Sequence, residues 1–127
     1  MKTERTDMEK FLSNFLYLIW IITDLSHQAR VWVRHEGPEV GSFLDTMMDF
    51  LDDCELVLEY SRDYSLSKSE YKTLKKLYEQ VDEYYFSSSG QQPDSEIVKD
   101  PKWLRICKFA KKVLHKFEHY RIPDESL

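Results

Sequence analysis

In residues 40–58 the apolar side chains recur every three or four positions: Val40, Phe43, Leu44, Met47, Met48, Leu51, Cys54, Val57 and Leu58. At 100° per residue these positions gather on one face, as in an amphipathic helix and unlike the alternation of a half-buried strand. Three further segments carry the same period, and none alternates with period two. Three Gly and four Pro in 127 residues are sparse punctuation for a sheet-rich domain. Apolar residues at 42% supply a core, and aromatics at 14% exclude disorder as the overall state. The expectation is an all-α single domain over residues 1–127, an antiparallel four-helix bundle with short connections.

The first helix is expected over about 8–34. Thr6-Asp7-Met8-Glu9 has the form of a capping box, and Phe11, Leu12 and Phe15 begin an apolar stripe. From there to Ile22 the helix is apolar on all sides and has to be covered on most of them. It is therefore expected at the centre of the bundle, with part of it open to a homodimer contact. Lys2 and Arg5 before this run resemble the basic flank of a signal peptide, but Glu4, Asp7 and Glu9 stand among them and no small-residue cleavage site follows. A run of eight apolar residues also falls far short of the roughly 20 needed to span a bilayer.

Gly37-Pro38 breaks the chain, and Pro38 suits the first turn of a second helix over about 38–60. The third is expected over 67–86, opened by the capping box Ser67-Lys68-Ser69-Glu70 with Leu66 and Tyr71 as a hydrophobic staple. Leu74, Leu77, Tyr78, Val81, Tyr84 and Tyr85 continue its apolar stripe. Residues 87–99 begin Ser87-Ser88-Ser89-Gly90 and read as a flexible surface loop. The fourth helix, about 101–120, starts at Asp100-Pro101, buries a stripe from Trp103 to Phe117, and meets a stop at Pro123.

Charge is distributed unevenly over these helices. Residues 36–63 hold nine acidic side chains against Arg62 alone, whereas residues 99–121 hold eight basic ones against Asp100 and Glu118. On a helical wheel Asp45, Asp49 and Asp52 stack opposite the core, and Glu59 and Asp63 extend that stripe. Like charges four apart, such as Asp45 and Asp49, destabilise a helix by a few tenths of a kcal/mol. One explanation is compensation by the basic fourth helix lying alongside, and another is a plain solvated face. The functional alternative is a binding surface for a basic protein, formed by Asp45, Asp49, Asp52, Asp53, Glu59 and Asp63. The net charge of −5 and the lack of glycine loops or exposed aromatics on the basic helix argue against nucleic acid as the partner.

Little else in the sequence carries chemistry. Cys54 and Cys107 fall on apolar helix faces and are expected as buried free thiols, which suits the cytoplasm. His115 and His119 have the spacing of a two-histidine metal site, but no Glu follows the first and no third ligand is evident. Asp49, Asp52 and Asp53 lack the alternation and central Gly of a calcium loop. No metal or cofactor is expected. The stretch Arg30-Val31-Trp32-Val33-Arg34-His35 resembles the Arg–spacer–His motif of HEPN-type ribonucleases, whose Arg and His act on RNA phosphate. That resemblance makes Arg30 and His35 the catalytic pair of an enzyme alternative.

In size, architecture and charge, the turn at 32–39, the acidic helix at 43–58 and the capped helix at 67–85 resemble the small all-helical immunity proteins that neutralise bacterial toxins, many of them nucleases. The resemblance implies a bacterial cytoplasmic inhibitor without enzymatic activity, in tight complex with a cationic toxin domain. Its carboxylates would cover the toxin's substrate-binding surface, and aromatics beside the stripe would anchor the complex. The remaining alternative is a structural or regulatory helical interaction protein.

Overall fold

Leu12, Phe15, Leu16, Ile19 and Ile22 line the buried edge of the first helix, α1 (Asp7–Thr23). The computed structural model describes residues 7–121, so Thr6 of the first capping box and Pro123 of the helix stop lie outside the described residues. After α1 come a short α2 (Leu25–His27) that runs into a π-helical turn at Gln28–Val33, then α3 (Phe43–Glu59), α4 (Lys68–Phe86), α5 (Asp94–Ile97) and α6 (Pro101–Phe117). No strand occurs among the described residues, and the fold is all-helical.

The first expected helix, 8–34, is not continuous. It stops at Thr23, and Asp24 takes an extended conformation in which its carboxylate accepts a hydrogen bond from His27 N at 2.8 Å. Short acidic side chains compete in this way for backbone donors, and here the local bond restarts the helix in a new direction. The break would strand carbonyls at the end of α1. Gln28, fully buried, repairs it by donating from Nε2 to Ile21 O at 2.9 Å and Ile22 O at 3.0 Å. Its Oε1 accepts from Trp103 Nε1 at 3.0 Å, so the same amide ties the break to α6. Of the apolar run in α1, Phe15, Leu16, Ile19, Ile21 and Ile22 enter the core, Leu18 and Trp20 are half-buried, and Tyr17 is exposed.

The second expected helix, 38–60, begins later than the Pro38 signal implies. Ser42 caps it, its Oγ accepting from Asp45 N at 3.1 Å, and α3 starts at Phe43. Residues 34–42 instead form an irregular connection in which His35 and Gly37 have φ of 55° and 89°. A side chain at Gly37 would collide with the Arg30 guanidinium in addition to straining that backbone. Arg30 organises this connection, forking onto Glu39 from Nη1 at 2.9 Å and Nη2 at 2.7 Å, with Nη1 also reaching Glu36 O at 3.1 Å. Residues 38–42 are not helical in this arrangement.

At α4 the sequence signal holds in detail. Ser67 Oγ accepts from Glu70 N at 3.0 Å, and Glu70 Oε1 accepts from Ser67 N at 2.8 Å, a complete capping box. Glu70 is also met, from the turn that follows α6, by Tyr120 Oη at 2.7 Å and His119 Nε2 at 3.1 Å. Residues 87–99, expected as a loop, carry a 3-10 turn at Ser89–Gln91 and the helix α5. Ile97 of α5 is fully buried, and Asp94 Oδ2 accepts from Phe43 N at 3.1 Å. That bond places a carboxylate at the positive end of α3. The fourth expected helix, 101–120, stays α-helical to Phe117 and tightens into a 3-10 turn at Glu118–Tyr120.

The helices meet in a definite order. α1 packs against α3 and α6, and α4 packs against the same two. At one end Phe43 contacts Trp103, Trp32 and Tyr84 edge-to-face, with ring centroids 5.1, 5.9 and 5.9 Å apart. Each such pair contributes about 1 kcal/mol beyond the apolar area it buries. Cys54 and Cys107 are both free and buried, and burial raises both thiols, Cys107 to about 12. Among the described residues no helix is long and apolar enough to cross a membrane.

Candidate functional site

The outward side of α3 is a ridge of carboxylates. Within Phe43–Glu59 there are six acidic residues and no Lys or Arg. Asp45, Asp49, Asp52 and Glu59 are exposed, spaced three, four or seven apart so that they share one side of the helix. Asp45 lies in the first turn and gains from the positive end of the helix dipole, while Glu59 ends the helix at its negative end with no basic residue in the last turn. Asp53 sits lower on the flank and is half-buried. Burial, then the charges of Asp49 and Asp52, hold its carboxyl above the usual Asp value. Asp63 does not continue the stripe, because α3 ends at Glu59, Tyr60 caps it, and the chain turns. Asp63 instead lines a cavity with Glu9, Tyr64 and Tyr120.

No Lys, Arg or His among the described residues lies within ion-pair distance of Asp45, Asp49, Asp52, Asp53, Glu59 or Asp63. The basic sixth helix does not lie alongside to balance them. α3 is packed between α1 and α4, and α6 stands across the core from it, between the same two neighbours. Compensation by direct pairing between the acidic and basic helices is thereby removed as the explanation of the ridge.

Two grooves flank the ridge. On the α4 side, Met48, Asp52 and Glu55 of α3 face Tyr78, Asp82, Tyr85 and Phe86 of α4 around a hollow of about 290 Å³. Tyr78 Oη donates to Glu55 Oε1 at 2.7 Å across this hollow, and Phe86 is 71% exposed at its end. On the α1 side, Met8, Phe11, Leu56, Tyr60 and Tyr64 line a more apolar hollow of about 340 Å³ with Asp7 at its rim. Exposed Met48 and Leu56 thus stand on either side of the carboxylates. Such a surface combines charge, which accelerates encounter, with apolar and aromatic anchors, which slow dissociation.

The other sequence candidates occupy different positions. Arg30 has both guanidinium ends on Glu39, and that hydrogen bond, with help from the backbone, lowers the Glu39 carboxyl to about 2. His35 is exposed on the connection that follows, in left-handed backbone. His115 and His119 no longer share a regular helical spacing, since α6 ends at Phe117 and His119 turns to Glu70. No group of three or more His, Cys, Asp or Glu side chains is placed to hold a metal ion among the described residues.

No family model, no curated protein and no solved structure matches this chain.

Tyr78 and Tyr85, expected in the buried stripe of α4, are half-buried at the groove, and Glu55, Asp82 and Phe86 stand there outside the expected binding set. Their spacing held a signal: Tyr78, Asp82 and Tyr85 fall four and three apart on α4, as Met48, Asp52 and Glu55 do on α3. Two matching faces of that kind form a groove only when their helices are neighbours.

Proposed function

We propose that this chain is a protein-binding module that neutralises a basic partner through the carboxylate ridge of α3. The observation that carries this reading is the uncompensated run of Asp45, Asp49 and Asp52, exposed and without a cation in reach among the described residues. A ridge that accepts like-charge repulsion along one helix gains back that energy when a cationic surface covers it. The partner we propose is a toxin domain, with the chain acting as its immunity protein. Toxins that cleave nucleic acid fit best, because a phosphate-binding surface is lined with Lys and Arg and is complementary to a row of carboxylates. The ring of contacts α1–α3–α4–α6 and the connections between them support the antiparallel four-helix form of this module. Two buried free thiols suit a reducing compartment, and we place the module in the cytoplasm.

The enzyme alternative through Arg30 and His35 is not adopted, since the Arg30 guanidinium is committed to Glu39.

The test is capture of the partner by the full chain and by Asp45→Lys, Asp49→Lys and Asp52→Lys together. The expected result is loss of capture with the helical circular dichroism signal unchanged, and an association rate for the natural chain that falls steeply with salt. Capture that survives the triple reversal removes the ridge as the site.

A further inference from the structure

The groove between α3 and α4 differs from the ridge beside it because one wall is made of rings. Tyr85 and Phe86 stand perpendicular, with centroids 4.9 Å apart, so that together they offer a ring face and a ring edge. Tyr85 is held from behind by Phe43, at 6.3 Å, and Phe43 belongs to the core. Tyr85 is therefore held in place before any ligand arrives, which lowers the entropy lost on binding, while Phe86, 71% exposed, leans on it from the solvent side. Asp52 and Glu55 come from the opposite side and Asp82 from the same helix as the rings. Glu55 Oε1 is used by Tyr78, which leaves its second oxygen free to accept. Neither contributing segment supplies a cation: α3 has no Lys or Arg, and residues 77–86 of α4 have none either.

We propose that this groove receives an arginine side chain of the basic partner. The proposal rests on the reading of the α3 ridge as a docking face for a basic protein, and adds which side chain anchors it. A guanidinium is flat and weakly hydrated. It stacks on an aromatic face while its N–H fork reaches carboxylates in the plane, and this groove offers both. An ammonium is a hydrated point charge that gains from the carboxylates but little from the rings. An apolar anchor would strip water from Asp52 and Asp82 with nothing in return. A second copy of this chain docking through the same face would set carboxylate against carboxylate.

The experiment uses the full chain and two capped peptides of equal length and charge, hexa-arginine and hexa-lysine, titrated calorimetrically at low salt. The arginine peptide is expected to bind about fivefold more tightly than the lysine peptide. Phe86→Ala, at an exposed position that leaves the core intact, is expected to erase the preference while both peptides still bind. Phe86→Tyr is expected to retain it. Equal affinities for the natural chain, or a preference that survives Phe86→Ala and Tyr85→Leu alike, overturns the arginine groove and leaves the ridge standing. If neither peptide binds at low salt, the basic-partner reading falls with it.

Discussion

Tyr78 Oη donates to Glu55 Oε1 at 2.7 Å, a side-chain bond that joins α4 to α3 beside the acidic ridge. It orients one of the groove's carboxylates and couples the two helices whose pairing creates the groove. The same bond, with burial behind it, pushes the Tyr78 phenol well above its usual value. The folded chain therefore keeps this proton longer than the unfolded chain does, and stability is lost as pH rises past the ordinary phenol range. Tyr78→Phe should cost about 1 kcal/mol at neutral pH, measured by urea denaturation. It should also remove one tyrosine from the late phase of an absorbance-monitored alkaline titration. An unchanged late phase would show that the bond does not persist in solution.

Asp53 is shifted in the same direction for a different reason. Burial, then Asp49 and Asp52, raises its carboxyl above the usual value, so the folded chain binds that proton more tightly than the unfolded one. Once ionised at neutral pH the group works against folding, and the penalty disappears as pH falls below the ordinary Asp value. Asp53→Asn should raise stability by about 0.5 kcal/mol at pH 7 and leave it unchanged near pH 3. A loss of stability at pH 7 would mean that Asp53 has a favourable partner in solution.

Gln28 is a fully buried polar side chain set among the apolar residues of the core. Its amide satisfies Ile21 O, Ile22 O and Trp103 Nε1, and all three bonds are buried. Gln28→Leu keeps most of the volume but leaves the indole N–H and the Ile22 carbonyl without partners, and should cost about 3 kcal/mol. Thermal or urea unfolding measures this directly. A cost below about 1 kcal/mol would mean that the break at Asp24 closes into a regular helix when the amide is absent.

The Arg30–Glu39 fork makes the connection before α3 sensitive to acid. Its hydrogen bonds lower the folded Glu39 carboxyl from 4.5 to about 2. Stability from this group is complete above pH 4.5 and is lost as pH falls through the window down to about 2. The natural chain should therefore lose more stability between pH 5 and pH 2.5 than Glu39→Gln does, followed by urea midpoints at each pH. Parallel curves for the two proteins would show that the fork is not populated in solution.

Much of this was visible along the chain. The faces of α3, α4 and α6 follow the three-and-four spacing of their apolar residues, because a helix turns its side chains by a constant angle. Ser67 with Glu70 and Asp100 with Pro101 marked helix starts that the structure keeps, since a cap is a local bond between neighbours in sequence. The starts and stops that escaped depend on distant partners. Pro38 offered a helix start, but the chain uses Ser42, and the Phe43 N–H is met by Asp94 from α5. Asp24 interrupts a segment whose spacing reads as one helix, and the interruption is tolerated because Gln28 and Trp103 complete the bonding there. Residues 87–99 looked polar enough to be a loop, yet Ile97 inserts into the core.

The candidate site divides in the same way. The acidic outer face of α3 is legible along the chain, because helical geometry alone commits Asp45, Asp49 and Asp52 to one side. The sequence could not determine whether the basic helix would lie against that face. Only tertiary packing decided this, by seating α3 between α1 and α4 with α6 across the core. Periodicity specifies which face of a helix is buried, not which helix buries it. That choice is made by the fit of all the buried side chains at once, and the unpaired ridge, together with the ring-walled groove beside it, exists only as its consequence.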